Sequence, residues 1–242
     1  MRIHCFAGPN GSGKTTTFEN HIRANGLDNV GFINADIFAK NLFIHIEDYN
    51  ERNLKAAQYA EALRHKFLAN QEDFAFETVM STRRNLDFLH LAKEQGAEID
   101  TTYVLTRDKN INVSRVAKRV SQGGHDVEEQ KIRDRYDKCM KLLPELIDLS
   151  DTVTIYDNSA ENKRIKLLLR KEQGVITVFS ENYYADNFLH KNIVKPLETD
   201  FGTCINYLYN KPLSTRINVY STSELEGKYL KENSKELDGE IS

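Results

Sequence analysis

The chain has 242 residues, 40% of them hydrophobic and 29% charged, enough to bury one sizeable core. A formal net charge of −3 excludes the global basic field that a long nucleic-acid backbone would call for, so nucleic acid is not the expected partner. Three scattered cysteines, Cys5, Cys139 and Cys204, have no metal-ligand spacing, and their odd number argues against a disulfide framework.

In chain order, the apolar run Ile3 to Ala7 is a predicted first strand. It enters Gly8-Pro9-Asn10-Gly11-Ser12-Gly13-Lys14-Thr15, and a helix is expected from Thr15 to Ala24. Glycine, four residues, then Gly-Lys-Thr is a phosphate cradle: the glycines accept positive φ and turn successive N–H groups inward. Lys14 supplies a point charge for the β- and γ-phosphates and Thr15 a hydroxyl for Mg²⁺. The first apolar run breaks at these glycines and no stretch reaches membrane-spanning length, so the expected location is the cytoplasm, with no membrane partner.

Val30 to Ile33 is a short second strand that ends at Asn34-Ala35-Asp36, with a short helix at Ile37 to Ile44. Glu51 to Asn70 is a predicted helix whose apolar stripe, Leu54, Ala57, Ala60, Leu63 and Phe67, is expected to pack on the core. Phe74 to Phe76 is a third strand running into Glu77-Thr78, Arg84 to Gln95 a helix, and Ile99 to Leu105 a fourth strand. Ile111 to Val120 is helical, residues 122–126 form a flexible break, and Glu128 to Leu149 is a long helix with a kink or restart at Pro144. Thr152 to Tyr156 is a fifth strand, and Ile165 to Leu169 with Val175 to Phe179 form a hairpin. This alternation implies a mostly parallel sheet covered on both faces. The main domain is expected to span residues 1–180; residues 181–242 form an appendage with a helix near 185–194, and its last dozen residues are predicted to be disordered.

In an open α/β sheet, ligands lie at the carboxyl ends of strands. There Asp36 could take a proton from an acceptor hydroxyl or hold Mg²⁺ through water, or it could cap the helix at Ile37. Glu77 and Thr78, with Ser81, Arg83 and Arg84 just after, could bind an acceptor or a metal-bound water; equally, a Thr or Ser here could cap the next helix while Glu77 pairs with an arginine. Arg115 and Arg119 share a helix face before Gly123-Gly124-His125, and Arg133 and Arg135 follow it. Arginines on either side of a glycine hinge suit a lid that neutralises a transferring phosphoryl group and excludes water. A solvated face with i,i+4 pairs such as Glu129 with Arg133 accounts for some of the same residues. His125, beside Asp126, reads as a structural turn histidine.

Together these pieces resemble the zeta-toxin family of P-loop kinases. The matching segments are Gly8-Pro9-Asn10-Gly11-Ser12-Gly13-Lys14-Thr15-Thr16, Asn34-Ala35-Asp36, Phe76-Glu77-Thr78, residues 115–120 with 123–127, residues 132–136, and Asp157-Asn158-Ser159, within Met1 to Phe179. The resemblance implies an α/β, kinase-like P-loop NTPase fold, a three-layer sandwich closed by a C-terminal hairpin. It implies phosphorylation of an amino-sugar nucleotide, typically UDP-N-acetylglucosamine, from ATP with Mg²⁺. Gly8 to Thr16 would bind ATP, Thr15 would hold Mg²⁺, Asp36 would be the general base, and Glu77 with Thr78 would lie in the acceptor site. Arg119 and one of Arg133 and Arg135 would clamp the γ-phosphate, and an antitoxin partner is implied. The alternatives are a kinase for another hydroxyl, such as a nucleic-acid 5′ end or an antibiotic, and a non-catalytic ATP-binding switch in a toxin–antitoxin pair.

Overall fold

The computed structural model describes residues 1–18, 31–124, 126–160, 165–179, 186–203 and 205–207. Within them lie eight strands, β1 (Arg2–Ala7), β2 (Gly31–Ile33), β3 (Phe74–Thr78), β4 (Glu98–Leu105), β5 (Thr152–Asp157), β6 (Lys166–Glu172), β7 (Val175–Val178) and β8 (Ile205–Tyr207). They build a sheet in the order β2-β3-β1-β4-β5-β6-β7-β8. The first five run parallel, β6 returns antiparallel to β5, β7 is antiparallel to β6, and β8 is parallel to β7. Parallel strands need helical crossovers that cover both faces, which is why most residues of β1, β3 and β4 are buried.

Side chains alternate across this sheet, and the register sorts them into two packed faces. Ile3 and Cys5 lie beside Phe74 and Phe76 on one side and Ile99 and Thr101 on the other. The same face takes in Leu86, Leu89, Leu143 and Ile147 in the main core. Phe6 and Ala75 point the other way, where Phe18 packs edge-on to Phe6 at 4.4 Å and stacks on Phe32 at 3.8 Å.

Helix α1 begins at residue 14 and is described to residue 18; the remainder of the helix expected to Ala24, together with Val30, His125 and Cys204, lies outside the described residues. The others are α2 (Ala35–Asn41), α3 (Tyr49–Ala69), α4 (Arg83–Glu94), α5 (Lys109–Ser121) and α6 (Glu129–Leu149). After the hairpin come α7 (Asn187–Leu189), a π-helical stretch at His190–Val194, and α8 (Lys195–Asp200). Gln173 and Gly174 join β6 to β7 with φ of 49° and 76°, the two positive values that a tight hairpin turn uses.

Three expectations are corrected. Ala60, Leu63 and Phe67 of α3 pack on the core as expected, but Leu54 is 58% exposed and Ala57 faces solvent, and the most buried line is Ala56, Ala60, Arg64 and Leu68. The core-facing stripe therefore departs from the expected one in its first turns, where Ala56 replaces Leu54 and Ala57, and it carries an arginine. Helix α6 continues in a single span through Pro144, whose ring is buried, so of the expected kink or restart there is no restart. Residues 187–207 are not a separate appendage: Leu189, Ile193, Val194 and Leu197 are fully buried in the main core, and β8 extends the sheet.

Candidate active site

Three glycines of the cradle are in the left-handed region, Gly8 at φ 145°, Gly11 at 75° and Gly13 at 94°. Space forbids anything larger. A Cβ on Gly8 would come within 2.1 Å of the Val104 carbonyl oxygen, and one on Gly11 within 2.7 Å of the Asn112 carbonyl oxygen. Two asparagines from distant elements brace the loop. Asn112 of α5 donates from Nδ2 to the Asn10 carbonyl oxygen at 2.6 Å, and its Oδ1 accepts from the Thr106 hydroxyl. Asn158, just past β5, donates to the Ser12 carbonyl oxygen at 2.8 Å. Sequence reasoning missed Asn112, and it saw Asn158 only as part of a strand end.

Inside the cradle Lys14 is buried and donates to the Pro9 carbonyl oxygen at 3.0 Å. Burial pushes its pKa down. Among the charges around it, Glu77 and Asp36 pull the value back up and Arg119 lowers it, so all three share its field. Ser12 Oγ is buried with no hydrogen-bond partner among the described residues. An orphaned hydroxyl, a lysine and backbone N–H groups together fit a nucleotide's phosphates.

Thr15 Oγ1 lies 3.3 Å from both oxygens of Glu77, and Asn34 Nδ2 donates to Glu77 Oε2 at 2.9 Å. Asn34 also caps α2, its Oδ1 accepting from the backbone N–H of Asp36 at 2.8 Å and of Ile37 at 3.2 Å. The capping role considered for Asp36 thus belongs to Asn34, and the Asp36 side chain is exposed at the first turn. The Glu77 carboxylate itself meets Thr15 and Asn34. The Thr15 hydroxyl and Glu77 carboxylate are hard oxygen donors of the kind Mg²⁺ takes. Among the described residues, no group of three or more His, Cys, Asp and Glu gathers into a metal cage.

A cavity of about 900 Å³ opens beside this cluster, lined by Asp36, Glu77 and Thr78, by Asn50, Asn53 and Asn85, and across from them by Gly124, Asp126 and Arg135. Met80, fully buried at φ 54°, turns the chain sharply below it. Gly124 has a steric reason: a Cβ there would lie 2.5 Å from Arg119 Cγ.

The two later arginines separate. Arg135 lines the cavity and approaches the Asn10 side chain at 3.5 Å. Arg133 turns instead to Glu129 at 2.8 Å and to Asn110 at 2.8 Å, the i,i+4 pair expected of a solvated face. Thr16 is exposed at the helix start. Of the residues singled out from sequence, the fold brings together Gly8 to Thr15, Asp36, Glu77, Thr78, Arg119 and Arg135, and leaves Arg133 outside.

A family model described as an AAA domain matches residues 3–141, which contain nearly all of these groups. The chain belongs to that family. An uncharacterised protein of Haemophilus influenzae is 28% identical over 133 residues, covering 54% of this chain and 89% of its own length. Among solved structures, the AvrRxo1-ORF1:-ORF2 complex with ATP matches with a TM-score of 0.60 at 14% identity, covering 73% of this chain and 60% of that one. The PezAT chromosomal toxin–antitoxin system of Streptococcus pneumoniae matches with a TM-score of 0.50 at 16% identity, covering 99% of this chain and 86% of that one. The chain spans less than two thirds of the length of the AvrRxo1 chains it matches. The fold is the α/β fold of P-loop kinases. No helix among the described residues is long and apolar enough to cross a membrane.

Proposed function

We propose that this protein is an ATP-dependent kinase that phosphorylates a hydroxyl of an amino-sugar nucleotide such as UDP-N-acetylglucosamine, acting in the cytoplasm. The observation that carries this reading is the shared position of Glu77, which touches Thr15 of the cradle and also lines the polar cavity that holds Asp36. Donor and acceptor chambers meet at that carboxylate.

In this reading the cradle N–H groups, Ser12 and Lys14 hold the β- and γ-phosphates, and Thr15 with Glu77 holds Mg²⁺, which when bound neutralises phosphate charge. Asp36 accepts the proton of the acceptor hydroxyl as its oxygen bonds to phosphorus and the bond to the ADP oxygen breaks. Arg119 and Arg135 spread positive charge over the phosphoryl group, and positions 123–124 provide the hinge that lets them close. Positioning and charge neutralisation then supply most of the catalysis.

The test is incubation with ATP·Mg²⁺ and a panel of UDP-sugars, with phosphorylated product read by mass spectrometry. A product on UDP-N-acetylglucosamine is the expected result; transfer to other hydroxyl compounds alone would replace the acceptor. Tight ATP binding with no transfer would favour the second reading, a nucleotide-binding switch with a protein partner such as an antitoxin. One observation favours that second reading: Ile44 at 66%, Leu54 at 58% and Leu42 at 50% are large apolar side chains exposed on α3 and the segment between α2 and α3.

A further inference from the structure

Arg64 is the odd member of the buried line of α3, only 9% exposed. Its guanidinium lies 5.0 Å from the ring centre of Phe76 and 4.9 Å from that of Phe88, a two-sided aromatic seat for a cation. Nη1 donates to Asn85 Oδ1 at 3.1 Å, while Nε has no hydrogen-bond partner among the described residues. Burying a charge is costly, so a guanidinium kept on a core face calls for a reason beyond packing.

The hydrogen-bond inventory supplies one. Arginine can only donate, so the Asn85 atom facing it must be the amide oxygen, and that settles which way the amide points. The Asn85 NH₂ is then directed at Thr78 Oγ1, 2.9 Å away, and lies 3.4 Å from Thr82 Oγ1. The Met80 N–H also donates to Thr78 Oγ1, at 3.2 Å. A threonine hydroxyl has two acceptor lone pairs and one hydrogen. With both lone pairs taken by groups that can only donate, the remaining O–H of Thr78 must itself donate, and Thr78 lines the cavity.

We propose that Arg64 and Asn85 are positioning residues that lock the Thr78 hydroxyl as an obligate hydrogen-bond donor to the acceptor substrate. The cavity therefore selects compounds that present an acceptor oxygen to Thr78, of carbonyl, ether or phosphate type, and disfavours those that present an ammonium group there. This rests on the kinase reading above and sharpens it: the amide carbonyl and ring oxygens of an N-acetylated sugar qualify, whereas an ammonium-rich antibiotic meets a donor with a donor.

Asn85→Asp tests the relay with almost no change in shape. The new carboxylate still accepts from Arg64, but its second oxygen now accepts the Thr78 proton and draws it away from the cavity. With the full chain, ATP·Mg²⁺ and UDP-N-acetylglucosamine, Asn85→Asp and Thr78→Val are each expected to raise the acceptor KM by about tenfold or more with ATP affinity unchanged. Their double variant loses no more than either alone, and Thr78→Ser recovers part of what Thr78→Val loses. An acceptor KM within about twofold of the parent in both single variants would overturn the relay. If the parent chain phosphorylates no UDP-sugar, the acceptor proposed above is wrong, and the relay is decided by ¹⁵N NMR of the Asn85 side-chain amide. Slow proton exchange and a shift on Thr78→Val support the relay; exchange at the solvent rate rejects it.

Discussion

The cradle and the cavity beside it are built on different principles. The cradle is a backbone device: glycines at φ 75° and 94°, a buried lysine, and two asparagines that reach in from α5 and the end of β5 to hold its carbonyls. The cavity is a side-chain device, its character set by Asp36, Glu77, Thr78 and Asn85 from three separate elements and by Arg135 opposite. A backbone device binds what all its ligands share, here phosphate, whereas a side-chain device can be retuned one residue at a time. On the kinase reading proposed above, the donor half is therefore generic, and the acceptor half holds what is particular to this chain.

That division can be broken or sharpened by substitution. Lys14→Ala should remove nucleotide binding and lower transfer on the order of 10⁴-fold, and an ATP affinity unchanged by calorimetry would refute the cradle. Asp36→Ala should lower kcat by about 10³ while ATP binds as before, separating the two halves; unchanged turnover would remove Asp36 as the base. Arg135→Ala should cost about 10² in kcat, against no more than about twofold for Arg133→Ala, whose guanidinium already pairs with Glu129 on the solvated side. The reverse order would mean that the arginines exchange places when the lid closes. Asn158→Ala should weaken ATP binding by about 1 kcal/mol through the lost support of Ser12, with the cavity unaffected. An acceptor KM that moved with it would show the two chambers to be coupled.

What the sequence made legible follows the same line. The cradle could be read because its chemistry is local, eight consecutive residues between a strand and a helix, and the parallel sheet because strands alternate with helices long enough to cross over. Asn112 and Asn158 could not be assigned as braces, since nothing local says that residues 102 and 146 positions away along the chain return to Asn10 and Ser12. The arginine on the core face of α3 escapes the pattern for a related reason: hydrophobicity counts arginine as surface, whereas Arg64 is seated between two phenylalanines. The helix after residue 186 was read as stopping before Pro196. Proline is tolerated in the first turn of α8, and the π-helical stretch ahead of it carries the chain on, so Leu197 reaches the core.

The late arrival of that segment bears on how the protein is made. Leu189, Ile193, Val194 and Leu197 fill the core beside α6, yet they are synthesised after the hairpin that ends at Val178. At about 5–20 residues per second, a growing chain waits roughly one to four seconds after the hairpin before Leu197 is made. Through that interval the core shared with α6 lacks its last-made members, and transiently exposed apolar surface of this kind is what chaperones bind. Slow codons between the hairpin and α8 would lengthen the exposure and lower the yield of folded protein without changing a single residue.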